Sequence, residues 1–251
     1  MENRFHSAIA ARSLNPQDSE LIMAQDGNVT VYYSPFDYVR PTARVVIVGI
    51  TPGAQQSGNA LAAAHNALKR GASLEDALRS AKDYASFSGA MRSNLVAMLD
   101  HVGVAQWLGI PSTASLWAEN LHLAHFTSVL RYPVFVGGKD YSGSSPDMLA
   151  HPLLRQQIDN WFGRELEQLP NALWVPLGDK VAKVLSSVAA LKGLSPRVLD
   201  GLPHPSGANA ERISYFLGRK AREALSPKTN AAKIDSAKIR ATSTMRALLA
   251  V

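Results

Sequence analysis

The chain contains no cysteine in 251 residues. Disulfides, thiol nucleophiles, thiolate zinc sites and cysteine-ligated iron–sulfur clusters are therefore excluded. No run approaches the roughly 18 consecutive apolar residues of a membrane span, and the opening MENRFHSAIAARS has no apolar signal core. A cytoplasmic protein away from membranes is expected. The Gly-x-x-x-x-Gly-Lys-Ser/Thr phosphate loop and the Gly-x-Ser-x-Gly elbow are missing too, which disfavours a small-molecule α/β hydrolase or nucleotide-binding protein. What is present, 46% hydrophobic and 18% charged residues, suits one α/β domain of ordinary size.

The formal net charge of +6 is unevenly spread. From Arg219 onward there are eight Lys/Arg and two Asp/Glu, leaving 18 of each for the rest. A basic tail on a neutral body points to a polyanion, nucleic acid first, or to a solvated surface helix.

The run VVIVG after Arg44 is apolar, β-branched and ends in glycine, the pattern of a buried parallel strand. LHLAHFTSVL (121–130), NALWVPLG (171–178) and RVLDGL (197–202) are candidates to join it. Helical periodicity separates them over 59–70, 73–84, 91–101, 148–169, 179–191 and 209–225. The expected fold is a single α/β domain over 41–225, with a central four-stranded parallel sheet flanked by helices on both faces. Residues 1–40 read as a helix and an extended segment packed on that body. Residues 226–251 read as a helical tail with Ile234, Ala237, Ala241, Met245 and Leu248 on one face. Function is expected at the carboxyl ends of the strands. The loop GGKDYSGSSP from Gly137 is a candidate lid.

Near the C-terminal end, LPHPSGANAERI grips His204 between Pro203 and Pro205. Two prolines hold that histidine on a stiff corner. Ser206 or Asn209 is placed to cap the helix that follows, so the corner suits an anion.

Together these pieces resemble the uracil-DNA glycosylase superfamily. VVIVGITPG resembles its first motif, FSGAMRSNLVAMLDHVGV from Phe87 is similar to the pocket stretch of the bacterial family-four enzymes, and HPSGAN resembles the second motif. HFTSVLRYP stands where the family has its pocket strand, and LEQLPNALWVPLGDKVAKVL resembles the strand and helix before motif two. The likeness covers roughly Arg44 to Gly218.

The resemblance implies hydrolysis of the N-glycosidic bond of deoxyuridine in DNA, releasing free uracil and leaving an abasic site, with no metal and no cofactor. The implied partners are uracil-containing DNA and the free base, and a monomer is expected. Phe87 is the stacking platform for a flipped base. Gly49, Ile50, Pro52 and Gly53 present backbone to its edge, Ser128 reads that edge, and His204 stabilises the leaving anion. Ser88, Pro205, Ser206, Gly207, Ala208 and Asn209 fall on the DNA-contacting segments, with Arg131, Lys139 and the tail as further phosphate contacts. The departures are specific. Thr51 stands where the family usually has Asp or Asn, and Ile50 where family-four enzymes have Glu. A water is then expected near Thr51, with Gln55, Gln56 or Asp83 helping to hold it. Ser128 replaces the usual Asn, so His125 is a candidate helper in reading the base. Ala208 replaces a bulky wedge, and the stretch Asn59 to Ala85 is added between motif one and Phe87. The alternative reading is a catalytically weak or inactive member of the same fold that binds uracil-containing or abasic DNA.

Overall fold

In a computed structural model that describes residues 2–85 and 89–250, the chain forms two four-stranded sheets. Helix α1 (Glu2–Ala11) precedes the hairpin β1 (Ile22–Asp26) and β2 (Val29–Tyr32), which turns at Gly27, where φ is +56°. Strand β3 (Val45–Gly49) leads into α2 (Ala54–Lys69), α3 (Leu74–Ala85), α4 (Gly89–Val102) and α5 (Val104–Leu108). Strand β4 (Ala124–Ser128) is followed by the short β5 (Val134–Val136) and β6 (Lys139–Asp140). Next come α6 (Pro152–Gln157), a π turn (Ile158–Phe162) and α7 (Gly163–Gln168), then β7 (Leu173–Pro176), α8 (Asp179–Leu191) and β8 (Arg197–Val198). The chain ends with α9 (Ala210–Phe216) and α10 (Ala231–Leu249).

The parallel sheet has the order β4-β3-β7-β8. All four strands come from the runs read as strands in the sequence. Strand β3 is central and buried on both faces because both of its alternating sets are apolar. Val46 and Val48 face a core shared with α1, α2 and α6 to α8, while Val45 and Ile47 face one shared with α4, α5, α9 and α10. Helices cover both faces, as expected of parallel strands joined by crossovers.

Three expectations change. The N-terminal segment is not merely a helix and an extended strand: β1 and β2 join β5 and β6 in a second, antiparallel sheet in the order β1-β2-β5-β6. The helix expected over 209–225 is only the seven-residue α9, because the chain turns at Gly218 with φ of +72°. The long pattern 148–169 starts at Pro152, which takes the first helical turn, and is broken by the π turn. The tail helix docks through buried Ile234, Ala237, Ala241 and Met245, with Leu248 packed alongside. Gly201 admits that docking, since a Cβ there would stand 2.9 Å from the Ala237 carbonyl oxygen.

Candidate active site

The turn after β3 is held from three sides. Gly49 pairs with Ser128 at the ends of β3 and β4, and Val129 and Leu130 donate to the carbonyls of Gly49 and Ile50 at 3.0 Å each. Thr51 Oγ1 donates to the Tyr132 carbonyl and accepts from the Val134 amide, both at 3.1 Å. The loop carrying β6 then folds back over the turn. Asp140 Oδ1 accepts from the Ala54 amide at 3.0 Å, and its Oδ2 lies 3.1 Å from where a Cβ on Gly53 would sit. Gly143 similarly lies on Ile50, at 3.1 Å from a would-be Cβ to the Ile50 side chain. Gly53 and Gly143 therefore allow two segments far apart in sequence to touch.

The turn borders two cavities. The smaller, of about 10 Å³, has room for about one water. Pro52 and Gln56 line it from the turn and α2, and Thr127 and Ser128 from the end of β4. Lys82 of α3 and Arg131 bring charge to it, with Phe36 and Phe126 as apolar walls. The larger, about 720 Å³, is bordered by Ile50, by His204 and Asn209, and by Gly178 to Lys180 at the start of α8. Its far wall is α10, through Lys233, Ile234, Ala237 and Arg240.

Beneath the small cavity is a buried ionic cluster. Arg131 holds Glu165 Oε1 through Nε at 2.8 Å and a terminal nitrogen at 2.6 Å, and His125 Nε2 lies 3.4 Å from Glu165 Oε2. Lys82 donates to the Phe36 carbonyl at 3.0 Å. Burial pushes the Lys82 ammonium down to about 8, against the pull of Glu165, and pushes the His125 imidazole down to about 4, helped by the nearby Lys82 charge. Burial alone would raise the Glu165 carboxyl, but Arg131 and then Lys82 hold it well below the usual carboxylate range. At neutral pH the cluster is Lys82 and Arg131 positive, Glu165 negative and His125 neutral.

His204 is half-buried, and that burial lowers its pKa. Its Nδ1 accepts from the Ser206 amide at 3.3 Å, so a neutral ring carries its proton on Nε2. The ring rests on Gly178, where φ is +94° and a Cβ would lie 3.8 Å from the His204 Cβ. Asn94 of α4 donates to the Pro205 carbonyl at 2.9 Å, tying the helix after the Phe87 stretch to the His-Pro-Ser corner. Charge dominates the surroundings. Lys180, Arg212, Lys228, Lys233 and Arg240 line the cavity against Asp179 as its one carboxylate among the described residues. Asp179 is taken by Lys233 at 2.5 Å, and Lys180, Arg212 and Lys228 have no carboxylate partner among the described residues.

No protein-family model matches the chain, and no solved structure does. Over 216 residues it is 38% identical to "Uncharacterized protein YoxB" of Bacillus subtilis (strain 168), a match spanning 85% of this chain and 84% of that protein. The chain belongs to the YoxB family.

The candidate residues are divided by the structure. Pro52, Ser128 and Arg131 border the small cavity, while Ile50, His204 and Asn209 border the large one. Gly49, Thr51 and Gly53 form the turn between. Phe87 and Ser88 lie outside the described residues. Several assignments change with the geometry. Thr51 spends its donor and one acceptor position on backbone and so fastens the turn. Asp83 is paired with Arg40 at 2.7 Å and borders neither cavity, whereas its neighbour Lys82 turns inward. Gln55 is exposed and Gln56 is the glutamine that reaches a cavity. Arg131 is 8% exposed and committed to Glu165, which removes it from the phosphate contacts. Lys139 remains exposed on β6.

The second-motif corner also differs from its reading. Asn209 stands at the N-cap of α9 and Ser206 at that of the 3₁₀ turn Gly207–Asn209 before it, but neither side chain caps an amide, and Ser206 Oγ accepts instead from Asn209 Nδ2 at 3.1 Å. Gly207 and Ala208 are exposed and Pro205 is buried. His125 faces Glu165, not a cavity. Asp140 and Lys82 were missed in the sequence. No local pattern marks Asp140, which reaches the turn through folding of a loop 86 residues away. Lys82 had a faint signal, a lysine in phase with Ala77, Ala81 and Ala85 on the buried face of α3.

Proposed function

We propose that this chain is a monofunctional uracil-DNA glycosylase, built on the uracil-DNA glycosylase-like form of the parallel α/β fold and active in base excision repair. The observation that carries the reading is His204, a neutral imidazole with its proton on Nε2, fixed on a proline-gripped corner beside the first-motif turn and facing a strongly cationic cavity. The C1′–N1 bond breaks with its electron pair leaving on the base, and the sugar becomes cation-like. A donor fixed before the reaction stabilises the growing negative charge without reorganising. Water adds to C1′ and releases a proton, completing an abasic sugar and free uracil. Arg212, Lys228 and Lys180 are assigned to the DNA backbone.

The test is abasic-site formation on a uracil-containing oligonucleotide, single- and double-stranded, read by strand scission in alkali. Wild type should cleave, and His204→Ala should slow it by about 10²–10³-fold with DNA affinity retained. A wild type that binds the oligonucleotide without cutting favours the second reading, a uracil- or abasic-DNA-binding protein. That reading is supported by Thr51, whose hydroxyl proton is spent on backbone where the glycosylase superfamily usually carries an Asp or Asn.

A further inference from the structure

The added stretch between motif one and Phe87 contributes Lys82 to the small cavity. Also on that cavity is Thr127, 8% exposed, whose Oγ1 is buried without a hydrogen-bond partner. Burying an unpaired hydroxyl is unfavourable, and such groups usually meet a ligand or an ordered water. The cavity's volume of about 10 Å³ admits one oxygen, not a ring. Lys82 and Arg131 are the charged side chains that line it, while the carboxylates that balance them, Glu165 and Asp37, do not border the cavity. It lies between Pro52 of the turn and the end of β4, where Ser128 pairs with Gly49.

We propose that this cavity receives one carbonyl oxygen of the excised base, with the Thr127 hydroxyl as its hydrogen-bonding group and with Lys82 and Arg131 supplying positive charge toward the base as it leaves as an anion. The proposal rests on the glycosylase reading above and extends it. When the C1′–N1 bond breaks, the electron pair enters the base and is delocalised onto its carbonyl oxygens. A cation held nearby in a site shielded from water stabilises that charge more than it stabilises the neutral base. Lys82 and Thr127 thereby act from the small cavity and His204 from the large one.

The test compares Thr127→Val, Thr127→Ser and Lys82→Met with wild type in two measurements: calorimetric titration with free uracil, and the kinetics of abasic-site formation. Thr127→Val should weaken uracil binding about tenfold, as expected for loss of one well-placed hydrogen bond, and Thr127→Ser should restore it. Thermal stability of Thr127→Val should equal or exceed wild type, because the hydroxyl has no partner to lose. Lys82→Met should lower kcat by about 10²-fold with KM little changed. If that variant fails to fold, the Thr127 pair alone decides. Wild-type cleavage with uracil binding indifferent to Thr127→Val would overturn the carbonyl site and leave the glycosylase reading intact. Uracil binding that depends on Thr127 in a protein that does not cleave would do the reverse. A wild type that neither binds uracil nor cleaves would overturn both.

Discussion

Lys82, His125, Arg131 and Glu165 show how burial decides what a side chain is. Each of the four is at least nine-tenths buried. A charge taken from water is tolerated only with partners, and Glu165 provides them for Arg131 and His125. The pH dependence follows with a definite sign. His125 titrates at about 4 in the folded chain against its ordinary 6.5, so between those values the unfolded chain binds the extra proton and stability falls as pH drops. Glu165 adds a further loss as pH falls below its ordinary 4.5. Lys82, at about 8 against 10.5, makes stability rise with pH across that interval. Urea midpoints should therefore decline below about pH 6.5 and climb above about pH 8, and His125→Leu should lack the first step of the decline. A midpoint unchanged between pH 6.5 and pH 4.5 would contradict the buried neutral imidazole.

At the scale of elements, the site depends on segments that are distant in the chain. Helix α10 has an apolar stripe on a basic helix, and the stripe docks while the charges border the His204 cavity. The contact between Gly201 and the Ala237 carbonyl makes this docking sensitive to one methyl group. Gly201→Ala combines a left-handed φ of +89° with a 2.9 Å clash. The left-handed backbone alone costs about 1–2 kcal/mol, so the denaturant midpoint should fall, and amides of α10 should exchange faster than those of β3. Equal protection in the variant would show that the helix does not rely on this approach. The loop from Gly137 to Pro146 is held in a comparable way, through Asp140 on Ala54 and Gly143 on Ile50.

For the whole molecule, the charge distribution becomes a surface with a location. Three of the eight basic residues from Arg219 onward border the His204 cavity. Lys228, Lys233 and Arg240 share one cavity with Lys180, Arg212 and His204. On the proposed glycosylase reading, association with DNA should weaken steeply with salt, and Arg212→Ala and Lys228→Ala should each lower the slope of log K against log salt by about 0.7–0.9. A slope unaffected by both changes would place the DNA elsewhere on the molecule. No described helix is long and apolar enough to cross a membrane.

Much of the architecture was legible because it rests on local rules. A β-branched run such as VVIVG can be buried on two faces only as an interior strand, and the spacing of Ile234, Ala237, Ala241 and Met245 can make a stripe only on a helix. The proline-gripped histidine was equally visible, since Pro203 and Pro205 restrict the backbone wherever they occur. The second sheet was not, because β5 and β6 are three and two residues long and become strands only by pairing with β2 and with each other. Nor was the choice of Lys82 over Asp83, which is set by helix rotation against a neighbouring surface, or the arrival of Asp140 at the first-motif turn. Periodicity reports which face of an element is buried, whereas contacts between remote segments depend on how those faces are stacked. The alphabet of strands and helices was thus written in the chain itself, and the membership of each cavity was decided by packing.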